Sequence, residues 1–233
     1  MKKIIPILIN ILIVPITVLI GFYFLDDRKY YFISLLIILE TLCAFFYRFE
    51  NKKVKLNELI TIAVFCAIAV AGRIAFYMIP SVKPMIAVVI ISGIVFGKNT
   101  GFLVGTISAF VSNIYFGQGP WTPWQMLASG VMGFLAGILF HNNKFKDNPI
   151  ILCLFAFLGT LIFYGGIMNF YSLISYTNTI TWKTIQSTYL LGIPYDLTHA
   201  TSTAIFLLLF ANTFMKKLER VKVKYGLGEE NCQ

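Results

Sequence analysis

The sequence predicts an all-α membrane protein, and three observations support this class. Of its 233 residues, 58% are hydrophobic and only 12% are charged, whereas a soluble globular protein carries about 25% charged residues. The apolar residues form closely spaced continuous runs, not the alternating pattern of a membrane β-barrel. The net charge of +9 is explained by Lys and Arg gathered between runs on one side of a bilayer, so no nucleic-acid partner is expected.

Eight apolar runs are expected to span the bilayer. Two of them, 85–97 and 101–116, are shorter than the about 20 residues that a bilayer requires, so we expect them to tilt or to extend into their turns. Residues 181–191 are predicted to form a separate short lid helix, and Pro194 is predicted to be the first residue of the last span. The eight runs are 4–25, 30–47, 58–79, 85–97, 101–116, 121–140, 149–172 and 194–215.

A basic stretch, Arg48–Lys55, is the expected internal boundary of the chain. It separates an N-terminal extension of two transmembrane helices, residues 1–50, from a six-helix core, residues 51–226. Residues 227–233 then form a short tail. Because the Lys- and Arg-rich segments alternate with poorly charged ones over eight spans, the positive-inside rule places this stretch and both termini in the cytoplasm.

Three segments, 80–84, 117–124 and 175–183, are then expected together on the outer surface. The middle one is the most distinctive, since its glycines and prolines cannot continue a helix. Its tryptophans suit a membrane–water boundary, and neutral amides beside them suit a pocket for a polar ligand. An aromatic belt with a tight turn is the alternative interpretation. The candidate pocket residues here are Asn113, Gln118, Pro120, Trp121, Trp124 and Gln125.

Ionisable residues also fall inside the predicted spans, where a charge costs about 2.5–3.5 kcal/mol. Arg73 is expected to pair with Glu40, because both lie in the outer half of neighbouring spans. Asp196 is expected in the first turn of the last span, where the positive helix end stabilises a carboxylate, and His199 shares its face one turn later. This pair either belongs to a packing and capping network or lines a ligand site. A metal or acid–base site has less support, because no second carboxylate and no HExxH or DxxD pattern accompanies the pair.

Nothing in the sequence indicates a metal, a cofactor or ATP hydrolysis. The four cysteines, Cys43, Cys66, Cys153 and Cys232, are isolated and lack CxxC or metal-ligand spacing, so neither a disulfide framework nor a zinc site is expected. No GxxxxGK[ST] loop occurs, so we expect any ATP hydrolysis to come from a partner.

Small residues recur every four positions in two of the predicted spans. In the span 58–79 they are Ala63, Ala67, Ala71 and Ala75, and such a stripe allows another helix to approach closely. Packing within the same chain is the alternative. The glycines at 93, 97, 101 and 105 have the same spacing and are expected to pack neighbouring spans together.

Several strings of residues together resemble the substrate-binding (S) components of energy-coupling factor (ECF) vitamin transporters. The resemblance covers about residues 56–224 and is most specific over Gly117–Met126, with further matching strings at Tyr164–Asn169 and Gly192–Ala200. Among S components, the Gly117–Met126 string looks most like the branch assigned to cobalamin or its precursors. The helices within residues 4–47 depart from the usual pattern of the family.

This resemblance implies a six-helix core that binds a vitamin from outside the cell. It also implies a non-catalytic subunit of a prokaryotic cell membrane, with a transmembrane coupling subunit and two cytoplasmic ATPases as partners. Ala63 and Ala67 match the AxxxA motif that docks on the coupling subunit. The expected substrate-binding residues are Lys83, Asn113, Gln118, Pro120, Trp121, Trp124, Gln125, Asn169, Tyr195, Asp196 and His199.

Three alternatives to a cobalamin-binding S component stay open at this point. The first is an S component for a different vitamin. The second is an intramembrane enzyme that uses Asp196 and His199, although no nucleophile motif accompanies them. The third is an assembly protein that uses only the alanine stripe of the span 58–79.

Overall fold

The structure, a computed structural model, describes residues 5–24, 30–47, 56–177 and 179–225. Within these ranges the chain is helical and contains no strand, which confirms the all-α class. The predicted basic boundary 48–55 and the tail 227–233 lie outside the described residues. The helices are α1 Ile5–Phe24, α2 Tyr30–Tyr47, α3 Leu56–Ala75, α4 Met85–Phe96, α5 Lys98–Phe116, α6 Trp121–Phe140, α7 Pro149–Tyr176 and α8 Trp182–Tyr225.

Helix composition agrees with a membrane protein. Among the described residues, α1, α3, α6, α7 and α8 are long and apolar enough to cross a membrane, and α2 and α4 contain shorter apolar stretches. Both α1 and α7 contain one π-helical segment, at Ile9–Ile13 and Thr160–Tyr164. The number of spans and the cytoplasmic location of both termini stay predictions.

Helix α8 corrects the prediction of a separate lid helix at residues 181–191. It runs unbroken from Trp182 to Tyr225 with Pro194 in its interior, so Pro194 is not the first residue of a span. A proline removes one backbone N–H, and transmembrane helices tolerate this loss where neighbouring groups bond the backbone carbonyl that it frees. Gly192 is not a helix break either. A Cβ there would lie 2.3 Å from the Asn169 Oδ1 atom, so glycine allows α8 to approach α7.

Helix α4 lies at the centre of the bundle, with almost every residue buried. It crosses α5 and α6 at three glycines, Gly93, Gly101 and Gly133. A Cβ on Gly93 would lie 2.1 Å from the Gly133 carbonyl oxygen, and one on Gly133 would lie 2.2 Å from the Gly101 carbonyl oxygen. The three backbones are therefore in direct contact, as the glycine spacing predicted for neighbouring spans.

The N-terminal pair, α1 and α2, packs on α5 and α6. Asn10 Nδ2 donates a hydrogen bond to Asn99 Oδ1 at 3.4 Å, and the Phe22 ring meets the Trp124 ring edge-on at 6.1 Å between centroids. The alanine stripe of α3 is exposed at all four of its positions. The N-terminal pair therefore leaves this face of α3 open.

Candidate ligand-binding site

A buried hydrogen-bond network joins the ends of α3, α5 and α6. Arg73 Nη1 donates to Asn113 Oδ1 at 2.9 Å and also to the Ser112 hydroxyl. The Asn113 amide nitrogen in turn donates to Gln125 Oε1 at 2.8 Å and to Thr122 Oγ1 at 3.1 Å. Asn113 is completely buried and both of its amide atoms are engaged, so in this conformation Asn113 and Gln125 stabilise the helix ends.

The partners of Arg73 correct the predicted ion pair with Glu40. Glu40 instead accepts a hydrogen bond at 2.6 Å from the hydroxyl of Thr17, because α2 packs against α1 and presents its carboxylate there. The Arg73 guanidinium lies 4.5 Å from the centre of the Phe116 ring, a cation–π contact. Its Nε atom is buried and has no hydrogen-bond partner. Arg73 is therefore a cation inside the bundle whose described contacts are all with neutral groups.

Residues 117–120 form a turn that separates α5 from α6, as the glycines and prolines of this segment predict. Gly117 has a φ of 97°, which favours glycine, and the Gln118 side chain donates to the Phe110 carbonyl at 2.9 Å. A Cβ on Gly119 would lie 2.4 Å from the Trp121 ring. The ring of Trp121 therefore covers the turn, and Pro120 lies directly before the first residue of α6.

The Trp124 ring is packed among other side chains in this conformation and is not open for a ligand to stack on it. It is only 4% exposed, and its ring lies 5.8 Å from that of Phe170 and 6.0 Å from that of Tyr171. Phe22 of α1 covers it from the other side. A shallow crevice between this ring, Pro120 and the N-terminal helix pair is lined mainly by apolar side chains.

Helices α7 and α8 contribute a second polar group of residues. Asn169 Nδ2 donates to Asp196 Oδ2 at 2.6 Å. The His199 ring meets the Tyr164 ring edge-on at 4.7 Å between centroids. Tyr195, by contrast, is 66% exposed. Of the predicted residues of α8, Asp196 and His199 therefore face the interior of the bundle.

One expectation for Asp196 is corrected by these contacts. It does not lie in the first turn of a helix, because α8 begins at Trp182, so the positive end of a helix does not stabilise it. Its hydrogen-bond partner is Asn169. His199 is only 6% exposed, and its buried Nε2 atom has no hydrogen-bond partner.

Lys83 connects the two groups of polar residues from the loop between α3 and α4. Its backbone N–H donates to the Ser202 hydroxyl of α8 at 3.2 Å. Burial and, secondly, the charge of Arg73 lower the pKa of Lys83 to about 8. The charges of Lys83 and Arg73 also act on the His199 ring. Lys83, Arg73 and His199 are therefore close enough for their charges to interact.

The eleven residues predicted to bind substrate thus occupy different positions. Lys83, Asn169, Asp196 and His199 lie together between α3, α7 and α8. Tyr195 lies at the surface, whereas the remaining six stabilise or cover the ends of α5 and α6: Asn113, Gln118, Pro120, Trp121, Trp124 and Gln125.

Three residues of this site, Arg73, Tyr164 and Ser202, are not among the predicted binding residues. The sequence predicts an ion pair for Arg73, and it predicts no binding role for Tyr164 or Ser202. The signal for Ser202 was its position one turn after His199 on the same face of a helix. Tyr164 belonged to a string that matched the transporter family, but only the asparagine of that string was selected.

Among the described residues, no three His, Cys, Asp or Glu side chains come together as a metal site would require. Cys43, Cys66 and Cys153 are free thiols, the first exposed and the second buried. Cys232 lies outside the described residues.

Fold and site define an all-α membrane protein with a buried, partly cationic polar cluster between helix ends, a class suited to holding a small polar molecule. A family model described as "ECF-type riboflavin transporter, S component" matches residues 53–216. The chain belongs to this family of S components. The match begins after α2, so the N-terminal pair lies outside it.

Curated relatives of the chain carry the description UPF0397 protein. Those of Aliivibrio fischeri strain MJ11 and Aliivibrio salmonicida strain LFI1238 are 29% and 30% identical over 122 residues, covering 47% of this chain. That of Vibrio atlanticus strain LGP32 is 27% identical over 121 residues, covering 49% of this chain. The chain spans 66% of each relative, just under two thirds of its length. No solved structure matches the chain.

Proposed function

We propose that this chain is the substrate-binding subunit of an ECF-type importer, which captures a vitamin on the outer side of the membrane and delivers it through a coupling subunit driven by two ATPases. Membership of the S-component family supports this proposal. The observation that carries it is the buried polar cluster at the loop end of α3, where His199 and Arg73 hold nitrogen atoms without partners.

Unpartnered buried groups favour a ligand for a physical reason. Leaving a buried donor or acceptor unsatisfied costs about 1–3 kcal/mol, and a bound polar molecule recovers that free energy. Lys83, Asn169 and Asp196 belong to the same cluster and supply further donors and acceptors. In this proposal they contact the vitamin together with His199, and Tyr195 borders the entrance.

The other predicted site residues have an indirect role in this proposal. The network of Asn113 and Gln125 fixes the ends of α5 and α6, while Gln118, Trp121 and Trp124 shape the turn and the wall beside them. These residues position the helix ends that form the site. Pro120 lies directly before α6, the helix that carries Trp121, Trp124 and Gln125.

For the substrate we propose cobalamin or a cobamide precursor, supported by the resemblance of the Gly117–Met126 string to that branch of S components. Riboflavin is the second candidate, because the matching family model is described by that vitamin. Both are coloured, so a single spectroscopic measurement distinguishes them.

We also propose that α3 docks on the coupling subunit through Ala63 and Ala67. Both alanines are exposed, as are Ala71 and Ala75 on the same stripe. A row of small side chains allows the backbone of a second helix to approach closely within lipid. Packing of α1 and α2 on α5 and α6 leaves this surface accessible.

Substitution of His199 separates a transport subunit from an intramembrane enzyme. In His199→Phe the aromatic ring still packs on Tyr164, but the nitrogen atoms are lost. We expect affinity for the vitamin to fall about tenfold, the equivalent of one hydrogen bond of typical strength, while the vitamin is recovered chemically unchanged from wild type and variant. Equilibrium titration followed by mass spectrometry of the ligand measures both quantities.

The matched control is His141→Phe, at the chain's other histidine. His141 follows the far end of α6 and contacts the Ile94 carbonyl, so its replacement leaves affinity unchanged. Unchanged affinity of His199→Phe combined with loss of a chemical turnover seen in the wild type would establish the enzyme instead.

A further inference from the structure

Two cations of the polar cluster have no carboxylate partner. Among the residues that the structure describes, no Asp or Glu forms an ion pair with Arg73 or Lys83, and the ion pair seen there joins Lys146 to Glu219. Asp196, the carboxylate of the cluster, bonds Asn169. A buried charge without a counter-charge is costly, so such groups usually have a partner or bind an ion.

The unpartnered atoms of the cluster are all nitrogens. Arg73 is 6% exposed and its Nε is unbonded, and His199, also 6% exposed, has an unbonded Nε2. Lys83 belongs to the loop between α3 and α4, and the bond from its backbone N–H to the Ser202 hydroxyl holds this part of the loop against α8. Guanidinium and ammonium groups donate only, and an imidazole can donate from this nitrogen. Neither the Arg73 Nε atom nor the His199 Nε2 atom therefore has an acceptor among the described residues.

We infer that the substrate carries an oxyanion, a carboxylate or a phosphate group, held by Lys83, Arg73 and His199. An oxyanion supplies both the missing negative charge and the missing acceptors, and hydrogen bonds between ionised groups are about twice as strong as neutral ones. The inference rests on the proposed function, because it describes the substrate of the same site. A phosphodiester-bearing corrinoid meets the requirement, and uncharged riboflavin does not.

Thermal unfolding of the full chain in detergent with simple anions tests this inference without a vitamin. Inorganic phosphate and acetate, each at constant ionic strength, are the probes. We expect one of them to raise the wild-type unfolding temperature saturably, by about 2–4 °C. A response to phosphate alone indicates a phosphate group, and a response to acetate indicates a carboxylate.

Lys83→Gln is the informative variant, since the Lys83 side chain lies in a loop and forms no hydrogen bond among the described residues. It is expected to lose the anion response, whereas Lys183→Gln, an equal charge change at an exposed residue of α8, is expected to keep it. No saturable response in the wild type would overturn the inference. So would an equal response in Lys83→Gln.

The pH dependence of the response gives a second measurement. Lys83 has a pKa of about 8 in the protein, so its positive charge is present below this pH and is lost as pH rises through it. The response to acetate, whose own charge is constant in this range, is expected to weaken between about pH 7 and about pH 9. The other charged or titratable groups of the cluster are Arg73, Tyr164, Asp196 and His199. An acetate response that strengthens over this range would contradict the role of Lys83.

Failure of this inference and failure of the proposed function give different results. If the anion response depends on Lys83 but no vitamin is retained, the oxyanion site is supported and the proposed substrates are contradicted. If a vitamin is retained tightly without an anion response, the proposed function is supported and the oxyanion site is contradicted.

Discussion

Gly133→Ala is expected to destabilise the native bundle strongly. The added methyl group would lie 2.2 Å from the carbonyl oxygen of Gly101 and 2.5 Å from its carbonyl carbon. Both are backbone atoms of a buried helix, so no flexible side chain can move aside. Helix α6 would have to separate from α5 and thereby lose its contacts with α4. Overpacking of this kind costs about 1–3 kcal/mol or more, and we expect the upper end.

Gly166→Ala is the matched control for this experiment. Gly166 also lies within a helix, α7, but a Cβ at this position meets nothing within 4 Å. Alanine is the better helix former by about 0.8–1.0 kcal/mol, so this variant is expected to be as stable as the wild type or slightly more stable. Thermal unfolding and the yield of monodisperse protein in detergent measure both variants. If Gly133→Ala unfolds at the same temperature as the wild type, then α5 and α6 do not pack as closely at Gly101 and Gly133 as described.

Ala63→Trp is expected to abolish uptake of the vitamin while binding stays within about twofold of the wild type. The indole would project from the exposed alanine stripe of α3 and keep a second helix from approaching. The binding cluster lies at the other end of this helix, around Arg73, so it should be unaffected. Uptake by cells that also express an ECF coupling subunit and its two ATPases, together with titration of purified protein, measures the two effects.

Leu154→Trp is the control for bulk alone, because Leu154 is an exposed apolar residue of α7. It is expected to reduce neither uptake nor binding. If Ala63→Trp transports normally, docking does not use the stripe. If it loses binding together with uptake, then docking and binding are not separate functions of the chain.

The class of fold could be predicted from sequence because hydropathy determines it. Long apolar runs with few charges can only satisfy their backbone groups as helices within a bilayer, and α2 and α6 coincide with their predicted runs. The continuity of α8 could not be predicted in this way. The signal at Gly192 and Pro194 is typical of a helix boundary, but the contact of Gly192 with Asn169 depends on a helix that is distant in sequence.

The partner of Arg73 shows why the site was only partly predictable. Glu40 was a plausible partner by depth in the membrane, yet depth does not indicate which helix lies beside the end of α3. In the structure α5 lies there and offers Ser112 and Asn113. The sequence therefore indicates a polar region around Asn113 and Asp196, but it does not distinguish residues that fix helix ends from residues with unpartnered polar atoms.

The N-terminal pair of helices has a structural explanation that the sequence alone did not supply. Phe22 covers Trp124, and Asn10 bonds Asn99 at the opposite end of the same surface. Helices α1 and α2 therefore shield the outer surfaces of α5 and α6 from lipid. They add to the stability of the core without covering the exposed stripe of α3.

The central claim, that this chain binds a vitamin, is tested most directly by the visible absorption spectrum of the purified protein after incubation with cobalamin or riboflavin and desalting. We expect stoichiometric retention of one of these coloured compounds, cobalamin by our proposal, and reduced retention in His199→Phe. Folded protein that retains neither compound would contradict the account.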